Sequence, residues 1–215
     1  MNTTNKVAVV TGGNRGLGFE TSRQLAKQGY QVILTSRDVV KGEKAALQLQ
    51  NEGLNVSFYP LDVTSGKNVD KLAEFLNHQF GKVDILINNA GIYIDGKGEE
   101  NTIVNVKVEI LQQTLDTNLF GALRVTQVLI PLMQKQNYGR IVNVSSGMGQ
   151  LIDMEGGSPG YRISKTALNA VTRIFASELA GTNILINSVC PGWVKTDMGG
   201  SEAPRTLEQG VDTIV

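Results

Sequence analysis

Six short runs rich in valine and isoleucine, each followed by a longer stretch of helical periodicity, leave this chain few ways to fold. The runs are VAVVT (Val7 to Thr11), VILTSR (Val32 to Arg37), VSFYPLDV (Val56 to Val63), VDILINNAG (Val83 to Gly91), RIVNVSS (Arg140 to Ser146) and ILINSVCPG (Ile184 to Gly192). They are apolar nearly throughout and do not alternate with polar residues, as befits strands buried on both faces of a parallel sheet. The intervening segments supply helices, and Gly29, Gly53, Gly81 and Gly181 stand where a left-handed helix cap favours glycine. Leu111, Leu115, Leu119, Ala122, Val125, Leu129 and Leu132 recur at helical spacing and predict one long amphipathic helix between Val108 and Met133. Another passes through Tyr161, Lys165, Leu168, Val171, Phe175 and Leu179. Alternating strands and helices with right-handed crossovers give an α/β fold with a doubly wound parallel sheet, which binds its ligand beyond the carboxyl ends of the strands. A length of 215 residues suits a single domain, 1–215.

The charge balance narrows the function classes. Lys+Arg and Asp+Glu number 20 each, so the chain carries no basic footprint for nucleic acid. No apolar stretch approaches the ~18 residues that span a bilayer, and the polar opening before Lys6 has no signal-peptide core. A cytoplasmic protein without a membrane partner is expected. The lone cysteine, Cys190, lies in an apolar run and is expected to be a small buried residue. The single histidine, His78, is expected at an exposed helix end, and no metal site is expected.

Directly after the first strand comes TGGNRGLG, Thr11 to Gly18, leading into a helix. In that context Gly12, Gly16 and Gly18 permit a tight turn and close approach to a pyrophosphate at a helix N-terminus, with Asn14, Arg15 and Leu17 lining the loop, as in a Rossmann-type dinucleotide site. At the end of the second strand, where an NAD site places an acid, stand Ser36 and Arg37. A guanidinium suits a 2′-phosphate and a carboxylate would repel it, so NADP(H) is the expected cofactor. Arg15 offers a second positive charge or is an ordinary solvated arginine, and Asp38 either compensates Arg37 or caps the next helix.

With the glycine loop, NNAG at Asn88 to Gly91, the VSS ending at Ser146 and YRISK at Tyr161 to Lys165 all in order, the chain resembles the short-chain dehydrogenase/reductase family over nearly its whole length, most of all the carbonyl-reductase branch. The resemblance implies reduction of a ketone, aldehyde or quinone by NADPH, with a small-molecule carbonyl or alcohol, expected to be lipophilic, as partner. It assigns Asp62 and Val63 to the adenine, Asn89, Ala90 and Gly91 to the turn under its ribose, and Val194 and Thr196 to the carboxamide end. Ser146 would orient the substrate carbonyl, with Ser145 the alternative, and Asn118 would steady a water beside the lysine or serve as a helix-bending residue.

Tyr161 and Lys165 are four apart on a helix, so their side chains share one face. Bringing a phenol from its reference pKa near 10 to neutrality takes roughly three units, about 4 kcal/mol. One ammonium about 4 Å away at an effective dielectric of ~20 supplies about that much. Lys165 is therefore expected to lower the pKa of Tyr161, which exchanges a proton with the substrate while Lys165 also holds the nicotinamide ribose.

Two departures stand out. The pattern TLEQGVDTIV reaches Val215 where the family normally adds a last strand, so a sheet lacking that strand and a longer natural chain are expected. MGQLIDMEGGSPG (Met148 to Gly160) has no large insertion of the kind found in monomeric carbonyl reductases, which leaves a homodimer or homotetramer open. Ile94, Leu151, Ile152, Met154 and Trp193 are expected around the substrate. The rival functions are a non-catalytic NADP(H)-binding redox regulator and an NAD-dependent alcohol dehydrogenase.

Overall fold

A computed structural model describes residues 6–215. Six parallel strands, β1 Val7–Val10, β2 Gln31–Ser36, β3 Val56–Pro60, β4 Ile85–Asn88, β5 Gly139–Val144 and β6 Ile184–Val189, lie in the order β3-β2-β1-β4-β5-β6. Each sequence run matches one of them; β2 and β5 begin one residue earlier than their runs, at Gln31 and Gly139, and the terminal residues of several runs turn into loops. Val9 faces Ile33 on one side and Leu86 on the other, so the centre of the sheet is apolar across three strands.

Successive side chains of a strand point to opposite faces, and β1 shows what that requires. Val7 and Val9 join a core with Leu72 and Leu76 of α3 (Gly66–Phe80) and Val125 and Leu129 of α5 (Ala122–Gln134). Ala8 and Val10 join a second core with Leu25 of α1 (Gly16–Lys27) and Leu49 of α2 (Val39–Asn51). Both faces are thus covered, each buried aliphatic side chain contributing about 1.5–3 kcal/mol. The chain winds one way from β1 to β3 and the other way from β4 to β6, which opens a crevice between the carboxyl ends of β1 and β4. The predicted glycine caps all adopt positive φ, from 68° at Gly81 to 87° at Gly29.

The single helix expected from Val108 to Met133 is interrupted. It consists of α4 (Val108–Leu115), a π-helical segment Asp116–Gly121 and α5. Two tertiary demands meet in the widened turn: Asn118 is bonded to the loop after β4, and Gly121 passes so close to Val63 that a Cβ would lie 2.6 Å from its Cγ2. The last helices are α6 (Pro159–Glu178) and the short α7 (Leu207–Val211), which opens on a capping box between Thr206 and Gln209. Val211 and Ile214 are buried. Among the described residues β6 pairs only with β5 and forms one edge of the sheet. His78 lies exposed in the last turn of α3. No helix among the described residues is long and apolar enough to cross a membrane.

Candidate active site

A cleft of about 910 Å³ runs along the carboxyl ends of the strands. One end begins at the glycine loop. Gly12 and Gly16 have φ of 65° and 55°, a region that L side chains avoid, and a Cβ on Gly13 would lie 2.6 Å from Leu34 Cγ. Gly18 does not line the cleft. It lies beneath it, where a Cβ would collide with the Gly12 carbonyl and the Asn89 amide. The loop is held from below by residues of the next turn. Asn89 Nδ2 donates to the carbonyls of Thr11 (2.9 Å) and Gly12 (3.1 Å), and the Thr11 hydroxyl accepts from the amides of Asn89 and Ala90, both at 3.0 Å. Asn89 therefore braces the loop with its side chain; Thr11 was missed in the sequence because a threonine ending a strand is an ordinary strand residue.

Asn14, Arg15, Leu17, Arg37, Asp62, Val63, Ala90 and Gly91 line the same end. Arg37 is exposed and makes no ion pair among the described residues. Asp38 turns away from it, accepting from the Lys41 amide as the cap of α2 and pairing with Lys41 Nζ at 3.2 Å. The Lys41 bonds hold the Asp38 carboxyl below its ordinary pKa, so Asp38 is a charged cap and not a counterion for Arg37. Arg15 pairs across the mouth of the cleft with Asp197 at 2.5 Å, both side chains more than two-thirds exposed. The Asp62 carboxylate is taken up by Thr64, through its amide at 2.9 Å and its hydroxyl at 2.7 Å. A glycine cradle that side chains would fill, with an unpaired guanidinium where a 2′-phosphate would lie, fits a phosphorylated dinucleotide.

At the other end the cleft meets Ser146, Tyr161 and Lys165. Tyr161 and Lys165 share the inner face of α6, and Lys165 Nζ lies 5.6 Å from the centroid of the phenol ring. The expectation that this ammonium lowers the Tyr161 pKa is corrected. Burial pushes the phenol above its ordinary value, and the nearby Ser146 hydroxyl opposes the shift only in part. Lys165 is buried at the cleft wall, donates to the Val144 carbonyl at 2.7 Å and is pushed down to about 8, so its own charge is costly where it stands.

Ser145 and Ser146 both line the cleft, but Ser145 is buried and its hydroxyl is spent on Asn169 Oδ1 at 2.7 Å, whereas Ser146 accepts from the Met148 amide at 3.2 Å. That favours Ser146 over Ser145 as the substrate-facing hydroxyl. Asn118 lies outside the cleft lining, buried behind it. Its Oδ1 accepts from the Ile92 amide at 2.7 Å, and its Nδ2 donates to the Ile92 carbonyl at 2.9 Å and to Ser164 Oγ at 3.0 Å. Both amide protons are engaged, so the side chain ties the loop after β4 to α6. Gly91 sits against this pair, its Cβ position 3.3 Å from Asn118 Oδ1 and 3.7 Å from Lys165 Nζ.

Val194 and Thr196 line the cleft beyond Gly192, although the Val194 side chain is buried against Gly210. Two expectations fail here. Cys190 is exposed at the cleft, its Sγ accepting from the amides of Gly147 (3.0 Å) and Gly192 (3.4 Å), because β6 ends before it and lies at the sheet edge. Of the apolar residues expected around a substrate only Trp193 lines the cleft; Leu151 and Ile152 project into solvent, and Ile92, Tyr93, Met148 and Met198 take their place. Helical and strand periodicity end before these loops, so spacing carried no signal for which way they turn.

A sequence profile described as short chain dehydrogenase matches residues 6–206. The chain is 35% identical to carbonyl reductase (NADPH) 1 of Sus scrofa over 259 residues, covering 100% of this chain and 87% of that protein. The aligned span exceeds 215 residues, so that protein carries stretches with no counterpart here. Among solved structures, salutaridine reductase from Papaver somniferum superposes with a TM-score of 0.85 at 33% identity, covering 97% of this chain and 94% of that one. Actinorhodin polyketide ketoreductase with NADPH, as a variant, superposes with a TM-score of 0.83 at 32% identity, covering 92% of this chain and 74% of that one.

Proposed function

This chain belongs to the short-chain dehydrogenase family as a carbonyl-reductase-like oxidoreductase, and we propose that it reduces carbonyl compounds with NADPH, using Tyr161 as the proton donor. The observation that carries the reading is one continuous cleft with an unpaired Arg37 at one end and Ser146, Tyr161 and Lys165 at the other. Arg37 and the amides of the glycine loop would hold the phosphates, and Lys165 and the Asn89–Gly91 turn would hold the riboses. Bound NADPH supplies a hydride to the carbonyl carbon.

The residues of the chain do the rest. Ser146 donates a hydrogen bond to the carbonyl oxygen, and Tyr161 transfers its phenolic proton to that oxygen as negative charge develops there. A phenol raised above its ordinary pKa is protonated at neutral pH, which suits the acid needed for reduction; the reverse oxidation requires the phenolate and is expected to speed up as pH rises. Lys165, with a pKa of about 8, carries its charge at neutral pH and stabilises the tyrosinate left after transfer. Tyr93, Met148, Trp193 and Met198 give the substrate end an apolar lining, which supports a lipophilic carbonyl.

The test is NADPH oxidation against a panel of lipophilic ketones, aldehydes and quinones, with Tyr161→Phe as control. The variant is expected to lose on the order of 10²–10⁴ in kcat while its NADPH Kd stays within about threefold. Undiminished turnover in that variant sinks the proton-donor role. Tight NADPH binding with no turnover of any carbonyl points instead to the regulator, and a strong preference for NADH contradicts the role given to Arg37.

A further inference from the structure

Helix α6 carries both Tyr161 and Lys165, yet its own sequence does not cap it. The first turn of a helix leaves amides without partners, usually met by the side chain that precedes it. Here that residue, Ser158, is left-handed (φ 53°, ψ 46°) and makes no capping bond; its hydroxyl meets the Tyr93 hydroxyl at 2.7 Å instead. The cap comes from Asp95, in the loop after β4. Its Oδ1 accepts from the Gly160 amide and its Oδ2 from the amide of Tyr161 itself at 3.0 Å.

We propose that Asp95 is the positioning residue for the proton donor, its buried carboxylate fixing the first turn of α6 and with it the reach of the Tyr161 phenol. The proposal rests on the reading of Tyr161 as that donor. Asp95 is only 2% exposed and has no cation within ion-pair distance among the described residues, so two amides and the positive end of a 20-residue helix hold its charge. The contact is also built from the helix side. A Cβ on Gly160 would lie 2.9 Å from Asp95 Oδ1 and 3.2 Å from Thr114 Oγ1, so only glycine admits the carboxylate there.

The same loop grips the helix at further points. Asn101 Oδ1 accepts from the Ser158 amide at 2.7 Å, and the Tyr93 ring meets the Tyr161 ring edge-on at 5.3 Å. At its start the loop is tied by Ile92 to Asn118. A chain of bonds therefore runs from the π-helical turn through the loop to the backbone of Tyr161, and a displacement of about 1 Å at a reacting group can cost on the order of 10²-fold in rate.

The experiment uses the whole chain and the best carbonyl of the panel. Asp95→Asn keeps the shape but turns an amide donor toward one of the helix amides, and Gly160→Ala pushes the carboxylate away from the opposite side. Each is expected to lower kcat about 10- to 100-fold while the NADPH Kd moves less than about threefold and near-UV circular dichroism is unchanged. The decisive readout is the residual single-turnover rate of Tyr161→Phe. A residue that acts through the phenol has nothing left to act on, so adding Asp95→Asn to Tyr161→Phe should change that rate less than about threefold. Wild-type kcat in both single variants, or an Asp95→Asn loss that persists in full beside Tyr161→Phe, overturns the proposal and leaves the proton-donor reading standing. Wild-type turnover in Tyr161→Phe alone overturns both.

Discussion

The two ends of the cleft are specified in different ways. At the dinucleotide end, a strand, a glycine turn and a helix N-terminus follow one another within Val7–Lys27, and local backbone rules set the turn, which Asn89 then braces from a distant segment. At the chemical end, Tyr161 and Lys165 share a helix face by local spacing, but the start of that helix, the burial of Lys165 and the facing Ser146 all come from segments distant in sequence. The first kind of site can be recognised from a motif; the second can be recognised as present but not as tuned, because the direction of the Tyr161 shift is set by burial, which helical spacing does not report.

This contrast can be broken. The largest effect is expected at Gly18: alanine there collides with Gly12 and Asn89, so NADPH binding should weaken by about 100-fold or more and the melting temperature should fall. A variant that binds NADPH normally, measured by fluorescence titration, would show that the loop tolerates a side chain beneath it. Next, Arg37→Ala should raise the NADPH Kd about 10- to 100-fold and leave that for NADH nearly unchanged, the worth of one charge-assisted phosphate contact.

A third test addresses the tuned end. Lys165 titrates near 8 in the folded protein and near 10.5 unfolded, so between those values the unfolded state binds more protons and stability rises with pH. Below pH 8 the group is charged in both states and its burial cost is felt in full. Lys165→Met should therefore be more stable than the wild type at pH 7 by about 1–2 kcal/mol, part of the ~3 kcal/mol shift being offset by the lost bond to Val144. The advantage should shrink toward pH 10.5 in urea titrations, and an advantage independent of pH would contradict the buried charge. The smallest effect belongs to Asp197→Ala, which frees Arg15: an exposed pair contributes at most about 1 kcal/mol, so NADPH affinity should rise no more than about fivefold.

Much of the fold was legible beforehand. The six strands and the glycine caps follow from apolar runs and chain breaks, which report local conformation directly. The break at Asp116–Gly121 was not legible as a break, since Leu115, Leu119 and Ala122 keep helical spacing across it; the demand for a wider turn comes from Ile92 and Val63, remote in sequence. Cys190 looked buried because its neighbours are apolar, but an edge strand has one unpaired side and its continuation faces the cleft.

The sequence by itself determined the doubly wound sheet, the position of the crevice, the glycine cradle, the place of Arg37 at the end of the second strand and the shared helix face of Tyr161 and Lys165, because strand periodicity, glycine conformation and helical spacing are short-range properties. Only the tertiary structure decided that the phenol is raised and the lysine lowered, that Asn118 and Asn89 act as braces, and that a carboxylate from another loop caps the helix that carries Tyr161 and Lys165. Those outcomes depend on which groups lose water and which amides find partners, and that is settled by packing between segments far apart in the chain.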